Sequence, residues 1–160
     1  MMFRSSISRR VLSTVVLALS LQMIALRAGD SDKLPDPKVL TFRLPQDIKW
    51  ENKTSGSQEI VLFGDPNQAG SEYGVLHKWF PHSMSRPHFH QNDRYIYVIS
   101  GTWWVGSGPK YDPDSTYPMP AGSFVHHIAN QIHYDGAKDA ECLILITGIG
   151  PVKSTAAEQK

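Results

Sequence analysis

The sequence predicts an all-β domain, a sandwich or barrel built from short antiparallel strands. Three observations carry that expectation. About ten short runs rich in β-branched and aromatic residues recur along the chain, each bounded by Gly, Pro, Asn or Asp turn signals. No stretch after the first 28 residues shows a convincing helical period. The 160 residues suffice for one core and contain no internal repeat.

The N-terminus stands apart from the domain. Arg4, Arg9 and Arg10 precede an apolar run from Val11 to Leu26, and Ala28 follows before a polar stretch. Basic residues, an apolar core and a small residue describe a secretory signal. The most apolar part, Val15 to Leu26, is short for a bilayer span of about 20 residues, which argues against stable membrane insertion once the signal is cleaved. Ser8-Arg9-Arg10-Val11-Leu12 is similar to a partial twin-arginine signal, so a Sec or a Tat route to the periplasm or the exterior is expected. We assign residues 1–28 to the signal peptide, 29–38 to a linker, 39–150 to the β-domain and 151–160 to a polar tail.

The whole chain carries a formal charge of +1. Residues 1–28 hold four Arg and no acid, so the remainder has 12 basic and 15 acidic residues and a net charge of −3. A mildly acidic domain without a Lys/Arg cluster argues against nucleic acid as a partner. The single Cys142 lies in an apolar run and reads as a small buried hydrophobe; it can form no intrachain disulfide.

Taken in order, Val39–Leu44 is the first strand expected and Pro45-Gln46-Asp47 its turn. Ile48–Trp50 is a short strand and 51–58 a polar loop. Glu59–Phe63 is a strand ended by Gly64-Asp65-Pro66-Asn67. Glu72–Phe80 is a strand with Tyr73, Val75, His77 and Trp79 on one face. After the loop Pro81–Pro87 come His88-Phe89-His90 and the strand Tyr95–Ser100, turned by Gly101 into Thr102–Gly106. The proline-rich 107–120 fits no regular element and reads as a loop covering a pocket. Strands at Ser123–Ile128, from Ile132, and at Ala140–Thr147 complete the domain.

All seven histidines fall between His77 and His133. On a strand, residues two apart share a face, so His88 and His90 project side by side, close enough to share one metal ion. A third histidine, His133, lies in a similar β-rich stretch further on. His77, His82 and His126 read as ordinary core or surface histidines. Strand alternation puts Arg94, Ile96 and Val98 inward and Tyr95 and Tyr97 outward. Trp103, Trp104, Tyr95 and Tyr97 either wall a pocket or serve as barrel packing.

This wider pattern resembles the cupin superfamily. The first cupin motif, G-x5-H-x-H-x3/4-E-x6-G, finds His82 at its leading Gly, His88 and His90 at its histidines, Arg94 at its Glu and Gly101 at its last Gly. The second, G-x5-P-x-G-x2-H-x3-N, finds Gly122, then Ile128, Asn130, His133 and Ala137. The resemblance implies a double-stranded β-helix, or jelly-roll, barrel. It also implies one divalent metal (Fe, Zn, Ni, Cu or Mn) on His88, His90 and His133, a small-molecule ligand or substrate, and pairing into a homodimer through strand edges.

The resemblance does not supply the Glu. Arg94 cannot ligate a metal, because a guanidinium keeps its proton. Three arrangements stay open at this point. The site is a three-His centre with free positions, or Asp93 is the fourth ligand, or the metal is lost and Arg94 binds an anionic ligand. Three functions follow: a metal-dependent, dioxygenase-like enzyme with Arg94 as a catalytic residue; a non-catalytic module that captures a small ligand or metal; or a structural barrel with a vestigial site.

Overall fold

A computed structural model describes residues 35–159. The expected signal peptide lies outside the described residues. Among the described residues, 35–42 belong to one unit and those from Arg43 to a second. In the first unit, the Asp36 carbonyl accepts from the Val39 and Leu40 N–H groups and closes a turn. The second unit is the β-domain. No helix among the described residues is long and apolar enough to cross a membrane.

The domain has twelve strands: β1 (Glu51–Thr54), β2 (Ser57–Gly64), β3 (Glu72–Trp79), β4 (Ser83–Met84), β5 (His88–His90) and β6 (Arg94–Ser100), then β7 (Thr102–Ser107), β8 (Tyr117–Pro120), β9 (Phe124–His127), β10 (His133–Ala137), β11 (Cys142–Ile149) and β12 (Ser154–Ala156). One sheet runs β1-β2-β3-β11-β6-β9; the other runs β12-β5-β10-β7-β8, with β4 on β10. Every pairing is antiparallel. The inward faces of both sheets enclose a core of Trp79, Ile96, Val98, Trp103, Ala137, Cys142 and Ile144.

Period-2 patterning sets which side chains enter that interior. In β6, Ile96 and Val98 are 0% and 3% exposed, whereas Tyr95 and Tyr97 are 42% and 52% exposed. Arg94 shares the face of Ile96, two residues on, and so enters the barrel. In β3, Tyr73, Val75, His77 and Trp79 line the interior cavity.

Several expected boundaries differ. Val39–Leu44 forms no strand; it finds no partner ladder, Leu44 stays exposed, and a 3-10 turn occupies Pro45–Asp47. Ile48–Trp50 is likewise irregular. The expected loop 51–58 is instead a tight hairpin of β1 and β2. The Thr54 hydroxyl accepts from Gly56 N–H (3.1 Å) and meets the Ser57 hydroxyl (2.9 Å). Its polar residues gave no alternation to read. Within 107–120 the structure forms β8, whose Pro118 and Pro120 are tolerated because β8 is the edge of its sheet. The polar tail supplies β12, which pairs with β5 as Ser154↔His90, Thr155↔Phe89 and Ala156↔His88.

Four turn positions of the cupin pattern share one backbone property. Gly101 and Gly122 have φ of 74° and 90°; His82 and Asn130, which stand where the pattern has Gly, have φ of 59° and 61°. All four occupy left-handed or neighbouring positive-φ space, which Gly adopts freely and which His and Asn enter more readily than most other residues.

Candidate metal centre and pocket

Antiparallel pairing of β5 with β10 places His133 opposite His88, and the period-2 spacing puts His90 beside them. The ring centroids are 4.9 Å apart for His88–His90, 4.6 Å for His88–His133 and 5.5 Å for His90–His133. One ligand atom from each lies within 4.8 Å of the others. The structure therefore brings the three sequence-selected histidines together.

Each ring is held by a backbone carbonyl. The Nδ1–H of His88 donates to the Arg86 carbonyl (2.8 Å), that of His90 to the Lys153 carbonyl (3.1 Å) and that of His133 to the Gln131 carbonyl (3.0 Å). A carbonyl accepts only from N–H, so all three Nδ1 atoms carry a proton, and the neutral form of each ring has its lone pair on Nε2. Such outer partners fix the tautomer of metal-binding histidines. The Nε2 of His90 is buried without a hydrogen-bond partner, an acceptor in want of a donor or cation. Burial, reinforced by the Arg94 charge, pushes the His90 imidazole down to about 2. Burial, partly opposed by Asp135, holds His133 down to about 4. Both are neutral ligands at pH 7. Three imidazoles this close together fit Zn, Cu, Ni or Fe.

Arg94 stands beside this set. Its Nη2 donates to Nδ1 of His127 (3.0 Å) and to Nε2 of His133 (3.3 Å). A cationic group thus holds the lone pair that a metal on His133 would need. Burial lowers the Arg94 guanidinium from its usual value, with Asp135 and Tyr73 acting against that shift.

Asp93 is not part of the group. Its Oδ1 accepts from Ala129 N–H (2.7 Å) and its Oδ2 faces His126 Nε2 (3.1 Å), and the backbone bond, then His126, holds its carboxyl below the usual range. The reason is strand parity. Arg94 faces inward, so its neighbour cannot, and the fourth-ligand expectation for Asp93 is corrected.

The carboxylate that does face the site is Asp135, 5% exposed, two residues after His133 on the same face of β10. Its Oδ2 is 3.9 Å from His133 Nε2. His127 completes a second potential ligand set with His133 and Asp135, again within 4.8 Å. Its ring lies 3.8 Å from that of His133, and burial pushes its imidazole far down. Sequence reasoning passed over both residues. Parity on β10 would have found Asp135; nothing at the level of spacing singles out His127 from its neighbour His126. His77, read as ordinary, lines the same cavity with Nδ1 3.6 Å from Glu59 Oε2. Trp103 is a wall of the cavity, whereas Trp104 stacks under the Lys138 ammonium and Tyr95 and Tyr97 face outward.

The cavity measures about 710 Å³ and is walled on its apolar side by Val75, Ile96, Ile144 and Ile146. A pocket of this size takes a small organic molecule. At its rim, Arg86 pairs through two nitrogens with Glu158 and lies over the Tyr111 ring.

Two antiparallel sheets around an interior histidine centre define a class of small barrel proteins with a pocket in the barrel core. A scan against family models finds no match, and neither does a comparison with curated proteins. Solved structures are similar in fold. The polyketide cyclase RemF from Streptomyces resistomycificus is 17% identical, with a TM-score of 0.63 over 76% of this chain and 87% of that one. KdgF from Halomonas sp. is 16% identical, with a TM-score of 0.54 over 69% and 95%. An RmlC-like cupin from Shewanella frigidimarina is 15% identical, with a TM-score of 0.55 over 68% and 90%. The chain has the cupin fold, a double-stranded β-helix.

Proposed function

We propose that this chain is an exported cupin metalloprotein that holds one divalent ion on His88, His90 and His133 and acts on a small organic molecule in the barrel pocket. The observation that carries the reading is the common anchoring: three Nδ1–H groups tied to carbonyls, with one ligand atom of each ring within 4.8 Å of the others. When bound, the ion would supply oxygen activation if it is iron, or Lewis-acid polarisation if it is zinc, nickel, copper or manganese. The dioxygenase-like form is the finer version of this proposal. The residues supply the rest. Arg94 offers positive charge to an anionic group of the substrate, and Asp135 is placed to accept a proton within the same pocket.

The test is elemental analysis of untagged mature protein, wild type beside His88→Ala and His133→Ala. One equivalent of metal in wild type, lost in both variants, is expected. Wild type that stays metal-free after reconstitution would overturn the metal reading. Oxygen uptake by the iron form with diketones, thiols or phenolics checks the oxygenase version.

One observation favours a second reading. The guanidinium of Arg94 already occupies His133 Nε2, as it would in a non-catalytic module that captures an anion. Tight ligand binding with no turnover in any metal form would select it.

Export rests on the basic and apolar leader, and N-terminal sequencing of secreted protein checks it. The homodimer is proposed from the fold's habit. The outer face of β6 and β9 exposes Tyr95, Tyr97, Ile99 and Phe124, and light scattering in solution tests pairing.

A further inference from the structure

Seven buried side-chain nitrogen or oxygen atoms have no hydrogen-bond partner among the described residues. Six of them belong to residues that line the one barrel cavity: Tyr73, His77, Trp79, His90, Arg94 and Trp103. Orphaned polar atoms are rare in native proteins, and each requires an explanation. Here the orphans share a location and largely a polarity. Arg94 Nε and the indole Nε1 of Trp79 and Trp103 can only donate, and Tyr73 Oη carries a donor hydrogen. The residues that carry these unused donors surround one cavity, and a ligand of acceptors is what such a set of donors lacks.

Charge sharpens the point. No Asp or Glu among the described residues pairs with Arg94 within 4.0 Å, and Asp135 acts on it only from further off. An enclosed guanidinium is normally paired. Two imidazoles instead hold its Nη2, fixing the plane of the group while leaving Nε–H unused.

The third observation is how Tyr73 reaches it. On the central strand β11, Gly148 pairs with Tyr73 of β3 on one side and with Arg94 of β6 on the other. A Cβ at Gly148 would stand 3.0 Å from Tyr73 Oη and 2.9 Å from the Asp93 carbonyl. The phenol therefore leans over the glycine toward the next strand but one, where it feels the Arg94 charge. Any side chain at 148 would crowd this approach.

We infer that Arg94 and Tyr73, brought together across Gly148, form a clamp for the carboxylate of a small organic acid, and that Trp79 and Trp103 offer N–H groups to its further oxygens. The apolar walls Val75, Ile96, Ile144 and Ile146 hold the carbon part, which distinguishes an organic acid from an inorganic anion. The inference rests on the pocket reading above but not on the metal.

The experiment uses chelator-treated, metal-free mature protein and follows tryptophan fluorescence, since Trp79 and Trp103 line the pocket. Pyruvate, malonate and benzoate are titrated beside malonamide, benzamide and inorganic phosphate. The expected result is one-to-one binding of at least one carboxylate, with its neutral amide at least about tenfold weaker, as loss of a charge-assisted hydrogen bond requires. Tyr73→Phe, which keeps the ring, and Arg94→Met are each expected to weaken that carboxylate about tenfold or more with unchanged circular dichroism. Three results would overturn the clamp: no carboxylate binding below about 10 mM, amide or phosphate binding as tight as the carboxylate, or full affinity in Tyr73→Phe. Metal stoichiometry, measured separately on reconstituted wild type, separates the two readings. A failed clamp with intact metal stoichiometry would leave the metal proposal standing, and the converse holds equally.

Discussion

Tyr73→Phe is expected to make the ligand-free protein more stable. The Tyr73 side chain is 2% exposed, and its hydroxyl has no partner. Burying an unsatisfied polar group costs about 1–3 kcal/mol, and deleting it sacrifices no hydrogen bond. The phenyl ring keeps its packing, so no cavity term opposes the gain. We expect about 1–2 kcal/mol of added stability, which moves a urea midpoint up by about 0.5–1 M for a slope of roughly 2 kcal/mol/M. The assay is equilibrium urea unfolding of metal-free wild type and variant, with circular dichroism and fluorescence required to coincide. The comparison is then repeated with a saturating carboxylate found in the titration. At a hundred times its dissociation constant the ligand stabilises wild type by about 2.7 kcal/mol; a variant that binds tenfold more weakly gains only about 1.4. The variant's advantage therefore shrinks to near zero when ligand is present. A variant less stable than wild type without ligand would refute the reasoning, because it would mean that the hydroxyl is already satisfied in the folded protein.

Four further outcomes can be checked. The folded pKa values of His90 and His133, about 2 and about 4, lie below the ordinary value near 6.5, so the unfolded chain takes up protons first. The stability of chelator-treated protein should be full above about pH 7 and fall as pH drops from about 6.5 toward 4. Each histidine contributes a slope of up to about 1.4 kcal/mol per pH unit, and urea midpoints at three pH values that lie level would contradict this. Arg94→Glu should raise metal affinity at least about tenfold in competition with a chromophoric chelator, since it removes a competing cation and adds a ligand; weaker binding would place the fourth position elsewhere. Deleting residues 153–159 removes the carbonyl that orients His90 and the strand paired with His88, and should weaken metal binding about 10- to 100-fold. Gly136→Ala on β10 would drive a Cβ into the Ser83 carbonyl of β4; a destabilisation of about 1–3 kcal/mol is expected in thermal unfolding.

The fold was legible in the sequence where one side of a strand meets the interior. Ile96 and Val98 against Tyr95 and Tyr97 is a pattern that only a half-buried strand produces, and it also aims Arg94 inward. The pattern is silent where both sides are polar. The hairpin of β1 and β2 and the strand β12 are held by backbone pairing and turn geometry, which leave no hydrophobic period. Proline misled in β8, where the edge position removes the usual objection to it. For the site, spacing along β5 picked out His88 and His90, and the family pattern added His133. Asp93 stayed open in the sequence; only the structure shows its carboxylate engaged by Ala129 N–H and His126. Asp135, His127 and the donor group around Tyr73 depend on which strands neighbour one another, information that appears only when β10, β9 and β3 take their places in the two sheets.

The positive φ values at His82 and Asn130 bear on how such a site is recognised at all. A pattern written in letters asks for glycine at both places and scores this chain as defective. Written as backbone angles, the same pattern is met at positions 82, 101, 122 and 130. The hinge geometry that delivers His88 and His133 into the barrel is a conformational specification, and glycine is only its commonest spelling. His and Asn are the substitutes a left-handed turn tolerates with least strain. A search keyed to turn conformation would gather relatives that a search keyed to glycine discards.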